Sequence, residues 1–325
     1  MKPEVTENSA WPAALFRLAI AVAALFALTF ADWREMAHQW WDIDTYSHIL
    51  LIPPIIAWLV WIRRAALAAV GPRNWWLGLA WLLAGLALWL AGRSMDINTF
   101  AQAGAVIALQ GAVLTTLGLR TGLLLAFPLA YAFFLVPFGD EIIPPLQTIT
   151  AILATTLTQW SGIETVANGI LIDTPAGLFI VAEECSGVKF LIAMVALGVL
   201  VAWSSFTSWR RRALFLLACV IVPILANGVR AWATIFIAQY IGAEAAGSFD
   251  HIIYGWVFFA IIIALVLGAA WRWFEREPED AGWSVAEIAD MPAVARWEGK
   301  PAAALPVLVA ILAAAAAFAV LARLV

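Results

Sequence analysis

Charge is what this chain has least of. Only 12% of its 325 residues are charged, where a soluble domain carries about a quarter. Histidine occurs three times and cysteine twice. Two cysteines make no disulfide framework. There is no His-Glu-x-x-His and no cysteine pair at metal-ligand spacing, so neither a zinc site nor any other cofactor is expected. Basic residues do not gather as a nucleic-acid surface requires, and nucleic acid is not an expected partner. Arg210-Arg211-Arg212 reads instead as a membrane topology signal.

What fills the space is apolar: 64% of the residues are hydrophobic and the mean hydropathy is +0.93. Many runs reach the roughly 17–25 residues that an α-helix needs to cross hydrocarbon. Tryptophans mark the ends of these runs at Trp40-Trp41, Trp75-Trp76, Trp203, Trp209, Trp271 and Trp273, as indoles do at a membrane interface. The first run, Trp11 to Phe30, is long for a signal-peptide core and lacks a small-x-small site before Asp32, so it is read as a retained helix. A polar loop through Asp42 and Asp44 to His48 is expected next. Four more runs follow, 49–62 (with Pro53-Pro54), 75–91, 100–119 and 123–138. Arg63, Arg64, Arg73 and Arg120 mark the cytoplasmic ends.

The stretch 145–160 is apolar but holds Gln147 and five threonines. Arginine placement works only if it does not cross, which predicts a re-entrant or interface-lying helix. Thr174-Pro175-Ala176-Gly177 between two apolar quartets predicts a small β-hairpin on the outer face, leading directly to Cys185. Crossings then follow at 190–206, 213–241 (with a kink expected at Pro223), 251–271 and 304–321. The expected fold is therefore an all-α polytopic membrane protein of about nine transmembrane helices, amino end inside. Its expected parts are a catalytic transmembrane domain over 1–274, a cytoplasmic linker over 275–303 and a last helix within 304–325.

Three polar groups stand out by depth. Cys185 stands at the mouth of an apolar run, where unpaired helix N–H groups favour thiolate. Cys219, inside an apolar sextet, reads as an ordinary buried thiol. Arg230 lies 17 residues beyond Ala213, roughly 25 Å along a helix, which puts it in the outer part of the membrane. An arginine within a spanning segment is functional by default unless it snorkels to the headgroups. His251 opens the next run at the same face, although a histidine at an interface is in itself unremarkable. Asn227, one turn before Arg230, is expected to orient it. Glu184, Ser186 and His48 are supporting candidates. Glu183 and Glu184 raise a neighbouring thiol's pKa, so activation of Cys185 has to come from the helix end, Arg230 or His251.

Ser186 lacks the Gly-x-Ser-Gly context of rhomboid-type proteases, and the Glu183-Glu184 pair is not continued as in membrane prenyl-protein proteases. By contrast, Glu184-Cys185-Ser186-Gly187 before a membrane helix, Asn227-x-x-Arg230 in the next and His251 opening the one after resemble the exosortase/archaeosortase family. Asp44-Thr45-Tyr46-Ser47-His48, Pro144-Pro145-Leu146-Gln147 and Thr174-Pro175-x-Gly177 resemble it too. The resemblance spans about 44–271. Histidine rather than arginine at 251 is similar to the bacterial branch, and the further outer domain of some relatives is not expected past Val325.

The resemblance implies a cysteine peptidase or transpeptidase of the bacterial cytoplasmic membrane, with its site facing the periplasm. Its partners would be membrane lipids, an unidentified acceptor nucleophile and exported proteins. Those proteins would bear a carboxyl-terminal tripartite signal: a Pro-Glu-Pro-type (PEP-CTERM) motif, an apolar helix and a basic tail. Cys185 would form a thioester, Arg230 would hold the oxyanion and His251 would move the proton. Two other readings compete. In a transporter or channel, Arg230 and His251 would line a polar path, which leaves the thiol unexplained. An exopolysaccharide-export scaffold would need no thiol at all.

Overall fold

The computed structural model describes residues 10–243, 245–246 and 255–324. Among them, seven helices are long and apolar enough to cross a membrane. The number rises to nine if two broken pairs, Ala126–Leu135 with Asp140–Trp160 and Val257–Trp273 with Pro278–Asp290, each make one span. The chain is a polytopic, mostly helical membrane protein with one small sheet. Contacts divide it into two compact units. One comprises the residues up to Pro137 together with those from Ala281 onward, and the other is Phe138–Asp280.

The first unit is built on helices α1 (Ala10–Leu28), α2 (Phe30–Asp42), α3 (Ile52–Ile62), α4 (Arg64–Val70), α5 (Trp76–Ser94) and α6 (Asn98–Leu117). The short α7 (Leu119–Leu124) and α8 (Ala126–Tyr131) follow. α5 and α6 form a hairpin packed backbone to backbone. Glycines recur every seven residues on both, at Gly78, Gly85 and Gly92 on α5 and at Gly104 and Gly111 on α6, and Gly118 caps α6. A Cβ on Gly85 would lie 2.5 Å from the Ala108 nitrogen, and one on Gly104 would lie 2.3 Å from the Trp89 nitrogen. Lipid supplies no hydrophobic drive between helices, so close van der Waals contact of this kind is what holds them. Leu82, Leu86, Ala108 and Ala112 on this hairpin close a core with Ala21 and Leu25 of α1.

α2 replaces most of the expected polar loop. Its sequence is polar on average, but Trp33, Met36 and Trp40 fall on one face, and the Trp40 indole donates to the Leu135 carbonyl at 3.0 Å. Buried Asp32 on the same helix accepts from the Trp89 indole at 2.8 Å. A 3₁₀ stretch, Asp44–Leu51, carries the remainder of the expected loop. Pro53 and Pro54 fall inside the candidate span Asp44–Ile62, but in the first turn of α3, where a missing N–H costs nothing.

The second unit contains α9 (Ile143–Trp160), strands β1 (Val166–Asn168), β2 (Leu171–Thr174) and β3 (Gly177–Ile180), then α10 (Val188–Ser205), α11 (Trp209–Ile241) and α12 (Gly255–Ala270). The sheet is antiparallel in the order β1-β2-β3, so the expected hairpin has a third strand. α9 is not among the seven helices that qualify as spans alone, in keeping with its threonines and Gln147. α11 runs unbroken for 33 residues through Pro223, roughly 50 Å, longer than the ~30 Å of bilayer hydrocarbon. Buried Cys219 packs on it against Gly198 of α10, the ordinary buried thiol expected from sequence. At the arginine-rich end, the Glu275 carboxylate accepts from the Thr207 and Ser208 N–H groups and the Thr207 hydroxyl. It also pairs with Arg211 at 3.0 Å, and these bonds pull its pKa down to about 2.

The segment 281–303 folds onto the first unit as α13 (Val285–Asp290) and α14 (Pro292–Trp297). Ser284 and Glu287 form a capping box, and the buried Arg63 guanidinium donates to the Ala281 and Trp283 carbonyls. Glu298 pairs with Arg120 at 2.8 Å. The stretch expected as a linker thus holds two short helices packed on the first unit. α15 (Ala304–Leu321) then packs Val307 and Ile311 into the α1–α5–α6 core.

Candidate active site

β3 ends where the Val181 N–H donates to the Ile170 carbonyl at 2.9 Å, and the chain enters a 3₁₀ turn, Glu183–Cys185. The Cys185 N–H donates to Ala182 at 3.0 Å and the Ser186 N–H to Glu183 at 3.0 Å. Gly187 then takes a left-handed φ of +83° and caps α10, which begins at Val188. Cys185 therefore stands just before the helix cap, at the mouth of α10.

The residues around the thiol divide by what they touch. Asn227 is 4% exposed, and its amide nitrogen donates to the Cys185 carbonyl at 2.8 Å and to the Thr150 hydroxyl at 3.0 Å. It braces the cysteine turn across a separation of 42 residues. Ser186 is buried; its hydroxyl accepts from the Val188 N–H at 3.3 Å, and its carbonyl accepts from Thr150 at 3.4 Å. Both Ser186 and Asn227 serve geometry. Glu183 and Glu184 are exposed.

Two glycines let these elements meet. A Cβ on Gly187 would lie 2.7 Å from the Asn227 side chain, and one on Gly228 would lie 2.6 Å from the Leu153 Cβ of α9. α9 also reaches the approach to the cysteine, where the Gln147 amide donates to the Val181 carbonyl at 2.8 Å. Gln147 and Thr150 are positioning residues; from sequence they mark α9 as polar for a span, and Gln147 closes one of the resemblance motifs, but neither is assigned there to the site. The signal available was their polarity on an otherwise apolar helix.

Cys185, Asn227 and Arg230 line one cavity of about 70 Å³, walled by Ile172, Phe179 and Ile235. The Arg230 guanidinium lies 5.7 Å above the Phe190 ring, which stacks on Phe259 of α12 at 4.8 Å. A Cβ on Gly255, the first described residue of α12, would lie 3.9 Å from Arg230 Nη1. Arg230 is 21 residues beyond Trp209, roughly 31 Å along α11 and so near the boundary far from the Arg210–Arg212 cluster. A thiol and a cation facing one small, largely apolar cavity can attack a carbonyl carbon and hold the oxygen that becomes negative.

His251 lies outside the described residues, four positions before Gly255. His48 belongs to the first unit, with Nδ1 3.1 Å from the Thr45 carbonyl. Among the described residues no group of three or more His, Cys, Asp or Glu is placed to hold a metal ion.

A family model described as transmembrane exosortase matches residues 40–268, which include Cys185, Asn227, Arg230 and His251. No curated protein and no solved structure matches the chain.

Proposed function

The chain belongs to the transmembrane exosortase family, and from that premise we propose that it cleaves carboxyl-terminal sorting signals of exported proteins through a thioester on Cys185. Membership makes it a membrane-embedded sorting enzyme. The observation that carries the finer reading is the single cavity shared by Cys185 and Arg230.

In the proposed reaction His251 takes the Cys185 proton as sulfur bonds to the scissile carbonyl carbon. The oxyanion is held by Arg230, a contribution of about 3 kcal/mol by analogy with other oxyanion donors. The C–N bond then breaks, His251 returns the proton to the leaving amine, and the signal's helix and basic tail depart. An amine acceptor or water resolves the thioester. Histidine suits the task because its unperturbed pKa lies near neutrality. We place the protein in the bacterial inner membrane with this site on the periplasmic side, since the arginine clusters at 63–73 and 210–212 mark the opposite face. The substrates read this way carry a Pro-Glu-Pro-type motif followed by an apolar helix and a basic tail.

The test is processing of a reporter bearing such a signal. Cys185→Ala, inserted at normal levels, is expected to leave the reporter at full length. Processing at the wild-type rate would remove the enzyme reading and leave the transporter.

A further inference from the structure

A second cavity, about 550 Å³, lies within the first unit, which does not contain Cys185. Its volume is in the range of roughly 300–1,000 Å³ that takes a small molecule. Its walls include Trp11 and Leu18 of α1, Ile56 of α3, Val113 of α6 and Leu129 of α8, with Arg64 at its rim. Each helix enters in a consistent sense. Trp11 begins α1 and Arg64 follows the end of α3, whereas Leu18, Ile56, Val113 and Leu129 lie further into their apolar runs. The groove is therefore polar at one end, on the face bearing Arg63, Arg64, Arg73 and Arg120, and apolar along its depth.

The polar end has unmet chemistry. The Trp11 indole nitrogen is buried with no acceptor among the described residues. The Arg64 guanidinium, exposed and lining the same groove, rests 4.5 Å above the Trp61 ring and donates from Nη1 to the Trp61 carbonyl at 3.0 Å, which uses one of its five N–H donors. A donor and a cation together call for an anionic oxygen at headgroup depth, and the depth of the groove calls for a hydrocarbon chain. We propose that this groove binds one phospholipid, an acyl chain lying along it and the phosphate accepting from Trp11 and Arg64. A chain gains little by leaving bulk lipid for an equally apolar groove, so recognition rests on the phosphate end.

The test uses the full chain, delipidated in non-ionic detergent and titrated by native mass spectrometry. The probes are phosphatidylglycerol and diacylglycerol of the same chains. A saturable one-lipid adduct with phosphatidylglycerol, and weaker binding of diacylglycerol, are expected. Arg64→Gln should weaken the adduct about fivefold, the worth of one basic residue near an anionic headgroup. Trp11→Phe should weaken it while leaving the melting temperature in place. Leu18→Trp should block the chain; should that variant misfold, the other two decide. Equal binding of the two probes, no effect of Trp11→Phe and Arg64→Gln, or a stable dimer in place of the lipid adduct would overturn the proposal.

Discussion

Gly187 carries two demands at once, a left-handed backbone and room for the Asn227 amide. An L-residue there costs about 1–2 kcal/mol for the backbone alone. Gly187→Ala is therefore expected to displace Asn227 and the Cys185 carbonyl that it holds, abolishing reporter processing although the side chain does no chemistry. Normal processing would show that the bracing is dispensable. Arg230→Lys keeps the charge but loses the planar donor fork. If Arg230 holds the oxyanion, trapping of the acyl-enzyme should slow by tenfold or more, whereas an arginine that merely snorkels tolerates lysine. At this scale, sequence spacing and arginine counting brought Cys185 and Arg230 to one place. The same reading offered Asn227 as a group that could orient Arg230; that its amide also braces the Cys185 carbonyl was not legible, because spacing reports which face a side chain shares and not which partner comes from another element.

Among elements, the α5–α6 seam makes the sharpest energetic claim. Overpacking a tight contact costs about 1–3 kcal/mol, occasionally more, and the Cβ of Gly85→Ala would meet rigid backbone at 2.5 Å. Gly268, on α12, has nothing within 4 Å of its would-be Cβ. Gly85→Ala should lower the unfolding midpoint in mixed micelles and Gly268→Ala should not; equal effects would mean that the seam can spread without cost.

Long apolar runs announced most helices. Composition concealed α2, whose apolar face of Trp33, Met36 and Trp40 is diluted by charged residues on the other side. β1 carries no alternating pattern, since all three of its residues are exposed, so nothing in it announced a strand. The glycine heptads become visible only when two neighbouring helices are read against each other.

For the whole molecule, the sided distribution of arginine predicts where reagents can reach. An impermeant thiol reagent added from the periplasmic side should modify Cys185, which is half-buried, and spare Cys219, which is 0% exposed. Modification of Cys185 only from the cytoplasmic side would reverse the topology and the proposed chemistry with it.

The first unit is discontinuous in sequence: its core of α1, α5 and α6 is closed by Val307 and Ile311, beyond the whole of the second unit. Translation runs at roughly 5–20 residues per second, so after Pro137 emerges the ribosome needs on the order of ten seconds to deliver α15. During that interval the unit holding Cys185 is made complete while its neighbour still waits for a wall. Birth order and finishing order are thus inverted: the part begun first is the part completed last.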